Sequence, residues 1–119
     1  MNFAVLRTRR SDGLCVAVAG EVDAYTAPDM RAHLLEALRQ EPVVIVDLSG
    51  VTFMDSQGLS ALLRVDQEAR AQGRTLRLER VPRRVLKLLQ LTGLDSVLDV
   101  AADCRNGSDQ AGGGTAGPS

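Results

Sequence analysis

At 119 residues the chain is long enough for one hydrophobic core and too short for two. Its residues are 45% hydrophobic but only 3% aromatic, so the core must be built from Val, Leu, Ile and Ala. With 14 basic against 15 acidic residues and a net charge of −1, neither nucleic acid nor acidic lipid is expected as an obligatory partner.

The opening "MNFAVLRTRR" has too short an apolar run for a signal peptide, and its arginines follow that run rather than precede it. The longest apolar run, "VVIV", falls far short of a membrane span, so a cytoplasmic protein with no membrane segment is expected. Phe3 to Arg9 alternates loosely, "SDG" (Ser11 to Gly13) signals a turn, and "LCVAVAG" follows. This predicts a β-hairpin ending at Gly20. Glu21 and Asp23 then fall in a loop before "TAPD" opens a helix. There Thr26 is placed to accept from the Asp29 amide, Pro28 needs no amide partner, and Asp29 suits the positive helix end. Met30, Leu34, Ala37 and Leu38 recur at helical spacing as the buried face.

After Pro42, Val43 to Val46 form an unbroken β-branched run, which suits a central strand covered on both sides. Leu59, Leu62, Leu63, Val65 and Ala69 give a second helix its apolar stripe, and Gly73 stops it. "RTLRLER" alternates as a half-buried strand. Pro82 starts a third helix with Val85, Leu88 and Leu89 inward, Gly93 ends it, and "SVLDV" is a short last strand. Residues 105–119, "RNGSDQAGGGTAGPS", carry no large apolar side chain to offset the entropy of ordering, so a disordered tail is expected beyond a folded domain at 1–104. Strands alternating with helices imply a layered α/β domain whose later strands are mainly parallel.

Most enzyme constellations are absent. The single histidine, His33, flanks the buried face of the first helix; no zinc-like cluster and no phosphate-cradling glycine loop is present, so neither a metal nor a cofactor is expected. Cys15 and Cys104 lie far apart and form no CxxC, as free thiols of a reducing compartment would; a redox role for the pair is left open. The basic residues Arg80, Arg83, Arg84 and Lys87 open the third helix, as a solvated face first and a protein contact second.

The stretch that does not read as ordinary packing is "FMDSQGLSALL", where a strand gives way to a helix. Asp55 or Ser56 can serve as N-cap, but the capping box is incomplete because Leu59 stands three residues beyond Ser56. Gly58 lowers helix propensity and would let another protein's backbone approach Ser56. Ser56 has no activating base next to it in sequence, so a self-contained hydrolase using Ser56 and His33 ranks last.

"GEVDAYTAPDMRAHL" followed by "VVIVDLSGVTFMDSQGL" resembles the anti-sigma factor antagonists of the STAS family, over essentially the whole folded chain. The resemblance implies a single α/β domain, a mixed sheet of four to five strands flanked by helices. It implies that Ser56, directly after the motif aspartate Asp55, is phosphorylated by an anti-sigma factor that is a serine kinase. Asp23 matches the aspartate of the family's first motif, near that serine. Gln57 departs from the pattern, which usually has a small residue there; this bears on which kinase acts and how fast. The implied protein is not an enzyme but a binding module. It contacts an anti-sigma factor through Asp23, Asp55, Gln57 and Gly58, and a serine phosphatase restores it. The alternative is an unphosphorylated STAS subunit of a larger regulatory or transport assembly. Dimerisation is left open.

Charge gives the implied switch its physics. A phosphate adds roughly −1.5 to −2 charges. The free amides and dipole of a helix start should tolerate it, while a partner surface shaped to a neutral hydroxyl should not.

Overall fold

The hairpin expected at the N-terminus is formed by β1, Phe3–Arg10, and β2, Gly13–Val22, paired antiparallel across a turn at Ser11 and Asp12. The computed structural model describes residues 2–101; the sequence expectations for the 105–119 tail, the domain end at 104 and Cys104 lie outside them. β2 does not end at Gly20 but runs on through Glu21 and Val22, past two register slips against its neighbour. Gly20 makes that continuation possible. Its φ is +100°, and a Cβ there would stand 1.7 Å from the Asn2 carbonyl oxygen. The Glu21 amide donates to that carbonyl at 2.9 Å, so the strand bends beneath the N-terminus instead of stopping. Glu21 is therefore a strand residue, and only Asp23 lies in the loop.

The chain continues through α1 (Ala27–Gln40), β3 (Val43–Met54), α2 (Ser56–Ala71), β4 (Thr75–Glu79), α3 (Arg83–Thr92), a 3-10 turn (Leu94–Ser96) and β5 (Asp99–Val100). The five strands lie in the sheet in chain order, and every pairing after the hairpin is parallel. The single α/β domain with a mixed sheet is thus present, with β3 in its centre.

β3 is central and covered on both sides as its sequence predicts, Val44, Ile45 and Val46 being fully buried, but helices make only one of the two covers. Val44, Val46 and Leu48 join Leu14, Val16, Val18, Leu76 and Leu78 in the core with α1, α2 and α3. Cys15 and Ile45, the alternate residues, are buried yet outside that core, so they point to the opposite face. That face is sealed by charged side chains. Arg10 reaches across it to Glu79 at 2.9 Å and also holds Asp12; Arg77 pairs with Asp99 at 3.4 Å, and Arg80 with Asp47 at 3.8 Å. The aliphatic stems of such arginines cover apolar surface while their charges stay wet. Burial pushes the Cys15 thiol pKa up, so the buried cysteine is held in its neutral form.

The helices bury the stripes that their spacing predicts, except that Leu63 in α2 and Leu88 in α3 are only partly buried. In α3 the inward residues are Val85, Leu86 and Leu89. In α2 the buried set also includes Asp66, whose carboxylate accepts from Arg70 Nε at 2.8 Å; Arg70 then donates to the Val97 carbonyl at 2.8 Å. An i,i+4 ion pair thus ties α2 to the segment that leads into β5.

Candidate functional site

The two sequence motifs meet where β2 and β3 end side by side. Val22 pairs with Met54, and the Asp55 amide donates to the Val22 carbonyl at 3.2 Å. That bond brings Asp23 and Asp55, 32 positions apart by their residue numbers, to one edge of the sheet. Each aspartate organises the turn that follows it. Asp55 is the N-cap of α2: its Oδ1 accepts from the Gln57 amide at 2.9 Å and the Gly58 amide at 3.3 Å. Asp23 Oδ1 accepts from the amides of Tyr25 at 2.9 Å and Thr26 at 3.2 Å.

Thr26 does not cap α1 in the manner expected. Its buried hydroxyl accepts from the Asp23 amide at 2.9 Å and donates to the Glu21 carbonyl at 2.7 Å. It therefore stitches the loop carrying Asp23 back onto β2, and no side-chain cap reaches the amides of α1. Pro28 and Asp29 occupy the first turn as the sequence indicates.

Ser56 is the first residue of α2 and is exposed. Among the described residues its hydroxyl has no hydrogen-bond partner, and His33 makes no bond to it, so no base prepares it as a nucleophile. The first-turn amides are largely spoken for. Gln57 and Gly58 donate to the Asp55 carboxylate and Leu59 to the Asp55 carbonyl at 3.1 Å, which leaves the amide of Ser56 itself. The free-amide cradle expected for a phosphate is thus mostly filled by the protein's own carboxylate. Only the helix dipole and one N–H remain to favour an added anion.

Gly58 requires a correction. It is buried, and a Cβ there would stand 2.6 Å from Met54 Cγ and 2.9 Å from Val22 Cγ1. The glycine lets α2 press onto the ends of β2 and β3; it does not face outward to admit a partner's backbone. Gln57 is exposed and borders a shallow hollow of about 270 Å³ between α1 and α2, with Arg31, Ser60 and Arg64. The basic residues at the start of α3 are not simply solvated. Arg84 Nη1 donates to the Thr52 carbonyl at 3.4 Å, and Arg80 leans on Asp47, so both are tied back to β3.

Sequence reasoning passed over two side chains here. Tyr25, beside Asp23, is 89% exposed, and Phe53, two positions before Asp55, is 44% exposed. The available signal was their scarcity in a chain with one Tyr, two Phe and no Trp. Among the described residues no group of His, Cys, Asp or Glu could hold a metal, and no helix is long and apolar enough to cross a membrane.

A family model described as "Mlab, STAS domain" matches residues 6–99. The anti-sigma-B factor antagonist of Bacillus subtilis (strain 168) is 32% identical over 107 residues, covering 90% of this chain and 98% of that protein. Its namesake from Listeria monocytogenes is 32% identical over 102 residues, covering 84% and 90%. The crystal structure of an anti-sigma factor antagonist from Mycobacterium paratuberculosis shares the fold with a TM-score of 0.74 at 24% identity, over 84% of this chain and 86% of that one. The Bacillus cell fate determinant SpoIIAA in its phosphorylated form superposes with a TM-score of 0.62 at 22% identity, over 85% and 92%.

Proposed function

From the premise that the chain belongs to the STAS domain family, we propose that it is an anti-sigma factor antagonist switched by phosphorylation of Ser56. Unmodified, it binds an anti-sigma factor that is itself a serine kinase, and the sigma factor is freed. Phosphorylated, it lets go, and a serine phosphatase returns it to the binding form. It works in the cytoplasm, where sigma factors act, and catalyses nothing itself.

The observation that carries this proposal is the state of Ser56: an exposed, unpartnered hydroxyl on the first residue of a helix whose N-cap is already a carboxylate. A phosphate there adds roughly −1.5 to −2 charges. Asp55 holds the Gln57 and Gly58 amides, so the new anion cannot fold back onto them without displacing that cap. It must project outward, beside Asp55 and near the loop of Asp23. A partner surface fitted to a neutral hydroxyl then meets a concentrated negative charge. Each 1.4 kcal/mol of repulsion or desolvation lowers affinity about tenfold. Asp23, Asp55 and Gln57 are proposed as partner contacts around Ser56, with Gln57 tuning the kinase's access.

The test is phosphate mapping. Treated with the anti-sigma kinase and ATP, the chain should gain one phosphate, found on Ser56 by mass spectrometry. Phosphate on Thr52 or Ser60, both exposed neighbours, would move the switch elsewhere.

A further inference from the structure

We propose that Tyr25 and Phe53 are the apolar anchors of the partner interface, and that the anti-sigma factor receives them in an apolar hollow rimmed by arginine or lysine. This rests on the function proposed above and adds the residues that hold the complex together.

Aromatic side chains are scarce in this chain. Of the chain's three aromatic residues, Phe3 packs against the core, while Tyr25 and Phe53 stand exposed. An aromatic side chain left in water at no gain to the fold is costly unless something else covers it, and the centres of protein interfaces are enriched in such residues. The other exposed large apolar residues, Leu6, Leu91 and Val97, are scattered over β1, the end of α3 and the segment before β5. Scattered residues of this kind are ordinary. Tyr25 follows the end of β2 and Phe53 stands one residue before the end of β3, so both lie at the sheet end that leads into Ser56.

Glu21 connects them. It is the ladder partner of Phe53 in β3, and it lines with Tyr25, Asp23, Thr26 and Asn2 a hollow of about 310 Å³. Charge then identifies the occupant. Elsewhere among the described residues Asp12, Glu36, Glu41, Asp47, Asp66, Glu79 and Asp99 each pair with an arginine, and the carboxylates that do not, Asp29, Glu68 and Asp95, stand singly on α1, α2 and the 3-10 turn. Glu21, Asp23 and Asp55 have no ion pair among the described residues. The pattern is two exposed aromatic side chains at a sheet end whose rim of carboxylates, Glu21, Asp23 and Asp55, no arginine neutralises. Its complement is an apolar pocket with cationic edges. A second copy of this chain does not fit, because a two-fold interface on this patch would set the same carboxylates against each other. Nucleic acid is repelled by the same charges.

A phosphate on Ser56 would add negative charge within this rim, so the anchors and the switch occupy one surface. Affinity would come from the aromatic side chains, and release from the charge beside them.

The test is a calorimetric titration against the purified anti-sigma kinase that binds the wild-type chain. Tyr25→Ala and Phe53→Ala should each weaken binding by roughly tenfold or more, as truncated hot spots do. Tyr25→Phe should retain most of the affinity, and Leu91→Ala all of it. Oxidative footprinting of the wild-type complex should show Tyr25 and Phe53 protected, which keeps the test valid if a variant folds poorly. Wild-type affinity in both alanine variants, or no protection, would overturn the anchors; if Ser56→Asp still weakened binding, the proposed function would stand without them. A wild-type chain that bound no anti-sigma factor would overturn both.

Discussion

At the junction of β3 and α2, one short stretch divides its work residue by residue. Asp55 supplies the cap, Ser56 the free hydroxyl, Gln57 the outward amide and Gly58 the inward contact. Substitutions at two of these positions, Asp55 and Gly58, test their structural roles. Asp55→Ala removes a side chain that satisfies two amides and should cost about 1 kcal/mol in a urea melt. Asp55→Asn should recover most of that, because an amide oxygen also caps. Gly58→Ala sets two effects against each other: alanine gains up to about 1 kcal/mol of helix propensity. Forcing a methyl against Met54 and Val22 costs about 1–3 kcal/mol, so packing wins and the variant should be less stable. A more stable Gly58→Ala would mean that α2 can lift off the strands.

Among the elements, the sheet has two unlike faces. One is aliphatic and buried under helices, and the other is closed by arginine–carboxylate pairs over Cys15 and Ile45. Because burial raises the Cys15 pKa and leaves the thiol neutral, its alkylation in a Cys104→Ser variant should be slow in the folded protein and fast in urea. Rapid alkylation under native conditions would show the charged cover to be open. Two carboxylates have depressed pKa values: Asp12, held by its hydrogen bonds from Arg10, and Glu36, held by Arg39. Their contribution to stability is present above their ordinary values of 3.8 and 4.5 and is lost as pH falls through the depressed ones. Both are exposed, so urea melts compared at about pH 6 and about pH 3 should show a shallow loss from these groups, reduced further by salt.

These elements also show what a sequence can and cannot display. The hairpin turn, the aliphatic run of β3 and the helix stripes are local periodicities, so they were legible. Ser56 and Asp55 stood out because their chemistry interrupts such a pattern. What stayed hidden depends on partners distant in the chain. Arg10 and Glu79 lie 69 positions apart, so nothing local announces that they close one sheet face. Gly58 looks like an outward allowance until Val22, from another strand, is seen against it. Thr26 fits an N-cap pattern, but Asp23 offers its hydroxyl a shorter local arrangement. The role proposed for Tyr25 rests on its exposure, which spacing does not encode.

In the molecule as a whole, stability and the proposed switch rest on different residues. The core lies in β2–β4 and one layer of helices, with β1 and β5 packed against it, while Ser56 itself is exposed and adds no side chain to it, although its neighbours Met54 and Leu59 do. Phosphorylation should therefore leave the unfolding midpoint nearly unchanged, within about 0.5 kcal/mol as for exposed substitutions. The chain given ATP and Mg²⁺ without a kinase should stay unmodified, since no base is positioned on Ser56.

The most direct test is a titration of Ser56→Ala and Ser56→Asp against the anti-sigma kinase. Both should fold. Ser56→Ala should bind like the unmodified wild type and resist phosphorylation, holding the sigma factor free. Ser56→Asp should bind about tenfold more weakly or worse, as an added charge costing at least about 1.4 kcal/mol would require. Equal affinity for Ser56→Asp and wild type would contradict the account and point to a permanently bound STAS subunit instead.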